Sequence, residues 1–312
     1  MHTTVLTLGN AVLDLFLQIH HEEDVVSYDS ASKRISLPQG AKILLDSCDP
    51  FLGGNAANVA VGLKRLGIES GIMAELAKDE FSQKISNDLK NEGVQTEHVL
   101  FSDGQTSISI ALNFHQDRTL FTTHQKHEHN FNFDFETDWV YLTSLGESWR
   151  HVYEKIGAVA QEKKIRLAFN PGSVQLEQGL ASFSHVLPFV EILFVNKEEA
   201  ISIVGEHESD LDLVRALLHK GVMIPVVTDG ERGAYSVDET GKFFHLDSKK
   251  ATVVERTGAG DAFASGFLAA YILKKPIREA MEWGMYNSVG AIGSVGAQTG
   301  LLHRERMEAQ VR

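Results

Sequence analysis

Two periodicities divide this chain. From Val12 to Ile19 the positions alternate, with Leu13, Leu15, Leu17 and Ile19 pointing one way and Asp14, Phe16 and Gln18 the other. Ser107–His115 repeats the pattern, setting Ile108, Ile110, Leu112 and Phe114 against Ser109, Ala111, Asn113 and His115. Both segments predict strands of a small antiparallel sheet with one polar face. Elsewhere, short apolar runs alternate with helical stretches. Thr4–Leu8 (ended by Gly9-Asn10), Trp139–Leu142, Arg166–Phe169, Ile192–Val195 and Ile224–Thr228 predict buried strands. Asn58–Leu66 before Gly67, Phe81–Lys90 before Gly93, His151–Lys163, Lys197–Val204 and Leu211–His219 predict helices. Such alternation implies an α/β chain, a three-layer α/β/α sandwich whose mostly parallel central sheet is covered on both faces. With no internal repeat and no Pro/Gly/Ser linker, residues 1–312 are expected to form a single domain. Insertions at about 12–48 and 102–124 would supply a small antiparallel β lid over the carboxyl ends of the strands, where open α/β sheets bind ligands.

Charge and cysteine content narrow the class further. The 312 residues carry 29 Lys+Arg against 42 Asp+Glu, a net charge of −13, so no broad basic face for nucleic acid or an anionic membrane is expected. No apolar run reaches the ~18 residues of a membrane span. Met1-His2-Thr3-Thr4 lacks the basic start of a signal peptide. Cys48 stands alone, which excludes an internal disulfide and a Cys-x-x-Cys site. A cytoplasmic protein is the expectation.

The most informative segment is Thr257-Gly258-Ala259-Gly260-Asp261, followed by an Ala/Phe/Leu-rich run to Tyr271. Small residues before a buried helix let backbone amides approach a ligand, and a helix N-terminus is a ready anion site. Asp261 there is either a helix cap or a base poised beside the anion. Far upstream lies a second glycine-rich segment, Gly53-Gly54-Asn55-Ala56-Ala57-Asn58, running on to Gly67. In this order the two segments resemble the paired signatures of the ribokinase-like, or PfkB, family of carbohydrate kinases.

That resemblance implies a ribokinase-like fold and ATP-dependent phosphorylation of a hydroxyl on a small sugar, with a nucleoside as the alternative acceptor. A non-catalytic sugar-binding regulator is a further reading. Carried over residue by residue, it makes Asp261 the general base and the amides of Gly258, Ala259 and Gly260 the anion hole. Asp14, Gly53, Gly54 and Asn58 become substrate contacts. Asn196-Lys197-Glu198-Glu199 resembles the family's Asn-x-x-Glu element, so Asn196 and Glu199 would organise Mg²⁺, although a Glu-rich helix start looks the same. Thr228, Gly230 and Gly233 would touch the nucleotide, and Asn287 would line the adenine pocket. The lid faces imply a homodimer through the lid sheets.

The chain departs from the family pattern in three places. Glu255-Arg256 replaces Asp-Thr before the glycine loop, which leaves open a K⁺ ion there. Asn55 stands where some relatives have Lys, which speaks against a phosphorylated sugar. After the lid turn Asp117-Arg118-Thr119, His124-Gln125-Lys126-His127-Glu128-His129 replaces a small Gly-Ala segment. His127 and His129 would share one face of a strand, yet without cysteine partners they read as solvated loop residues rather than a metal site. His20-His21 reads as a polar strand end. Phe131, Phe133 and Phe135 read as a packed edge, and Phe16 is the aromatic aimed to stack a base. The motifs of dinucleotide-binding, Walker-type, serine-hydrolase and zinc-protease sites are missing from the sequence.

Overall fold

A computed structural model of the chain describes residues 2–19, 26–32, 34–114, 117–123 and 125–311, apart from the side chains of residues 113, 114, 117 and 118. The expectations for His20, His21, His124 and the Phe114 side chain therefore fall outside the described residues. Among those described, the central sheet runs Phe243–Leu246, Ala234–Val237, Ile224–Thr228, Val190–Asn196, Arg166–Phe169, Thr137–Leu142, Thr3–Leu8, Ser70–Met73. From Ile224–Thr228 onward every neighbouring pair is parallel, and the two strands before it are joined antiparallel.

The parallel strands are apolar on both faces because helices cover both. On one side Arg150–Lys163, Lys197–Val204 and Asp210–Leu218 bury Ile156, Ala200 and Leu213 against Leu6, Val140 and Leu193. On the other, Asn55–Arg65, Ala259–Ile272 and Ile277–Ile292 bury Val59, Phe267 and Trp283 against Val5, Tyr141 and Ile192. Neighbours such as Val5 and Leu6 thus enter opposite layers, each such side chain contributing about 1.5–3 kcal/mol. Helix Ala259–Ile272 is buried from Asp261 through Ala270. It lies against Asn55–Arg65 so closely that a side chain at Gly62 would overlap Ser265. This approach brings the first turns of the two helices together.

A second sheet has the order Asp117–Thr122, Ile108–Phe114, Val12–Ile19, Leu45–Gly53. Its edges are antiparallel as expected, but its central pair is parallel, with Leu13 opposite Ile108 and Leu17 opposite Leu112. Both central strands run outward from the core, and each returns through an antiparallel partner on its far side. The insertion boundaries shift for related reasons. Leu45–Gly53 is one strand that leads into helix Asn55–Arg65, so the first insertion reaches Gly53 rather than 48. Leu100–Ser102 pairs with Glu75–Ala77 and leaves only Ile108–Thr122 to the lid. Val12–Ile19 also lacks a simple polar face: Leu13 is buried in the core, while Asp14 and Phe16 are buried lining the cavity beneath the lid. Among the described residues no helix is long and apolar enough to cross a membrane.

Candidate active site

Helix Ala259–Ile272 opens at Gly258, whose φ of 76° and close approach to Ala297 suit only glycine. Just before it, Glu255 is buried, and its Oε1 accepts hydrogen bonds from Thr257 N–H and Oγ–H, both 2.9 Å. Glu255 therefore pins the start of the loop. The amides of the first turn have no carbonyl within the helix and face outward.

Asp261, in that turn, makes no capping bond. Its Oδ1 instead accepts from Asn55 Nδ2 at 3.1 Å and its Oδ2 from Asn58 Nδ2 at 2.8 Å. The cap alternative fails because the carboxylate points across to the neighbouring helix. Asn58 Oδ1 accepts in turn from Gln298 Nε2 at 2.9 Å. Asn58, expected to offer donor and acceptor to substrate, gives one N–H to Asp261 and one lone pair to Gln298, and it also lines the cavity beneath the lid. Burial pushes the Asp261 carboxyl up to about 6; the bonds from Asn58 and Asn55 oppose the rise and the Glu199 carboxylate adds to it.

Asp261 stands where two cavities meet. One, about 490 Å³, lies under the lid and is lined by Asp14, Phe16, Asn58, Ser109 and Thr123 among others. The second, about 260 Å³, is lined by Asn196, Glu199, Thr228, Arg256, Ala259 and Gly260. Asn55, Thr257, Gly258 and Asp261 belong to both. A third cavity, about 690 Å³, shares Arg256 and Ala259 with the second and is lined by Gly230, Lys249, Val253, Met285, Ser288 and Ile292.

The remaining expected residues divide between lining a cavity and supporting one. Gly53 lacks a side chain because a Cβ there would overlap the Asp14 carboxylate; it makes room for Asp14. Gly54, at φ 93°, lines the lid cavity against the Asn10 carbonyl. Asn196 and Glu199 form a capping box, Asn196 Oδ1 accepting from Glu199 N and Glu199 Oε2 from Asn196 N, each 2.8 Å. The same pair lines the second cavity, where burial raises the Glu199 pKa. Asn196 Oδ1 and the Glu199 carboxylate, which burial disfavours as an anion, are hard oxygen donors that suit a divalent cation keeping most of its waters.

Gly233 lies outside the cavities, turned against the Leu246 carbonyl while its own carbonyl accepts from Asp229 N at 2.8 Å. Asn287 is also misassigned. It is fully buried, donating to Ala262 O at 2.9 Å and Ser265 Oγ at 3.1 Å and accepting from Leu302 N at 2.8 Å. Its neighbour Ser288 lines the third cavity instead, since one residue of helical rotation separates the two faces. Two histidines expected in solvent are not there: the His127 and His129 side chains are 10% and 3% exposed and converge on Glu75. Phe131 and Phe135 pack into the core, without strand pairing. Gln298 and Glu75 escaped the sequence reading. A glutamate inside the apolar run Ile72-Met73-Ala74-Glu75-Leu76 was an available signal for the second, whereas nothing in the sequence marks Gln298.

The sequence matches the pfkB family carbohydrate kinase profile over residues 22–304. It is 26% identical over 238 residues to "Probable fructokinase-6, chloroplastic" of Arabidopsis thaliana, covering 70% of this chain and 61% of that protein, less than two thirds of its length. With the cytidine kinase of Thermococcus kodakarensis it shares 28% identity over 255 residues, covering 75% of this chain and 84% of the relative. In fold it is similar to Arabidopsis thaliana ribokinase complexed with ribose and ATP, at a TM-score of 0.79 and 17% identity over 100% of this chain and 99% of that one. With most of its length inside the family profile, the chain belongs to the pfkB family of carbohydrate kinases and is a phosphotransferase that uses an alcohol group as acceptor.

Proposed function

We propose that this kinase transfers the γ-phosphoryl group of ATP to a hydroxyl of a small sugar. The observation that carries this reading is the position of Asp261: a buried carboxylate, fixed by two asparagines at a helix N-terminus, on the shared wall of two cavities. The acceptor occupies the lid cavity, with Asp14 on its hydroxyls. The phosphates occupy the second cavity and the nucleoside part of ATP the third. Asp261 takes the proton of the acceptor hydroxyl as the new P–O bond forms, and the bond from the γ-phosphorus to the bridging oxygen of ADP breaks. The amides of Gly258, Ala259 and Gly260 stabilise the charge on the transferring group, each such donor being worth about 3 kcal/mol by analogy with oxyanion holes. Asn196 and Glu199 would hold Mg²⁺, largely through its waters, and the ion supplies charge neutralisation at the phosphates. The lid excludes water from the acceptor cavity.

A nucleoside is the second reading of the acceptor. Phe16 lines the same cavity, its ring edge-on to Phe51 at 5.4 Å, and offers an apolar surface to a base. Exposed Leu44, Leu45, Leu120 and Phe121 on the lid and its approach support a homodimer through the lid sheets.

ADP release measured over a panel of sugars and nucleosides tests the reading. Asp261→Asn should lower kcat by about 10²–10⁴-fold while ATP binding is retained. Turnover at the wild-type rate in that variant would remove Asp261 from the chemistry.

A further inference from the structure

The lid cavity has a wall that phosphoryl transfer leaves unused. It is formed by Glu75, His127 and His129, which line this cavity and not the phosphate cavity. Glu75 comes from the short strand Glu75–Ala77, and both histidines come from the extended segment that follows the lid strand Asp117–Thr122. His129 N–H donates to Glu75 Oε2 at 2.7 Å, and its ring Nδ1 lies 3.2 Å from the same oxygen. His127 Nδ1 lies 3.7 Å from Glu75 Oε1 and 3.4 Å from Ser102 Oγ.

His129 is held by an unusual set of contacts. Its backbone is left-handed, at φ 49°. The ring stacks on Phe131, with centroids 5.5 Å apart and planes 19° apart. Its carbonyl lies 3.2 Å from His151 Nε2. The side chain is only 3% exposed; its Nδ1 faces the Glu75 carboxylate, and its Nε2 has no hydrogen-bond partner among the described residues. Burial pushes the His129 pKa down, against the opposing pull of the Glu75 carboxylate. A buried Nε2 left unsatisfied is unfavourable unless a ligand completes it.

The charges in the cavity point the same way. Asp14, Glu75 and Asp261 line it, and no lysine or arginine does among the described residues. A phosphate on the acceptor would meet these three carboxylates, and none of the described lining residues offers a cation to offset them.

We propose that Glu75, His127 and His129 are specificity-determining residues that read an uncharged hydroxyl- or amide-bearing part of the acceptor, other than the hydroxyl that reacts, and that the cavity rejects phosphorylated acceptors. This deepens the sugar or nucleoside kinase reading and rests on it.

Steady-state ADP formation with D-ribose, D-fructose, cytidine and adenosine, set beside ribose 1-phosphate, ribose 5-phosphate and fructose 6-phosphate, tests the proposal. The best uncharged acceptor should exceed every phosphorylated one by about 100-fold or more in kcat/KM. His127→Ala and His129→Asn, the latter compatible with a left-handed backbone, should raise KM for that acceptor about tenfold while KM for ATP stays unchanged. His127→Gln should recover part of the loss. If His129→Asn melts at a lower temperature than the wild type, His127→Ala decides, because His127 lies at the more exposed rim. A phosphorylated compound as best acceptor, or an unmoved acceptor KM in His127→Ala, overturns the inference and leaves the kinase reading standing. No ADP formation by the folded wild type with any acceptor overturns both.

Discussion

At the scale of single residues, the base proposed for the reaction turns on how one carboxylate is held. Asp261 is buried, which favours its protonated form, and two asparagine amides favour the charged form, with a balance at about 6. The base form therefore grows as pH rises through about 6, and kcat/KM should show an acid limb there. Asn58→Ala removes the 2.8 Å bond to the carboxylate. A hydrogen bond to a charged group is worth about 1.5–3 kcal/mol, so the limb should move up by about 1–2 pH units. An acid limb at the wild-type pH in this variant would show that Asn58 does not set the base. The sequence marked both Asp261 and Asn58 and assigned Asn58 to the substrate. Its partners Asp261 and Gln298 lie far along the chain, and only the meeting of two helix N-termini shows that its amide also holds the Asp261 carboxylate.

At the scale of elements, glycines and buried amides decide how closely helices approach. Helix Ala259–Ile272 lies between Asn55–Arg65 and Ile277–Ile292, and Asn287 ties it to the last of these and to the backbone of Leu302. Asn287→Leu strands the buried Leu302 N–H, at a cost of about 1–3 kcal/mol, while the Ala262 carbonyl keeps its bond from Ser265 Oγ. Urea unfolding should show that loss, with KM for ATP little changed. A large rise in KM for ATP without destabilisation would restore Asn287 to the nucleotide pocket. In a helix buried on several sides, a 3.6-residue repeat does not distinguish the cavity face from the packed one. The strand Val12–Ile19 poses the same difficulty. Its alternation was legible, whereas its parallel pairing with Ile108–Phe114 depends on which ends of the two insertions leave the core.

At the scale of the whole molecule, a net charge of −13 stands against the nucleotide site proposed above. In that reading backbone amides at one helix N-terminus would do locally what a basic surface does broadly. The lid leaves apolar side chains in water, with Phe121 54% and Leu44 67% exposed. If a second lid covers them, Phe121→Glu should shift sedimentation velocity from dimer to monomer at micromolar concentration. A wild type that sediments as a monomer would remove the lid-to-lid reading. By itself the sequence determined the alternation of strands and helices, the family, and the loop that holds Asp261. These depend on local propensity and on contiguous motifs, which the order of residues carries directly. Only the tertiary structure decided that Asn58 and Gln298 support Asp261, that Asn287 turns inward, and that two histidines expected in solvent close on Glu75 inside the cavity beneath the lid. Each of these is a contact or a burial set by other parts of the chain, and no local pattern encodes which distant side chain will stand opposite.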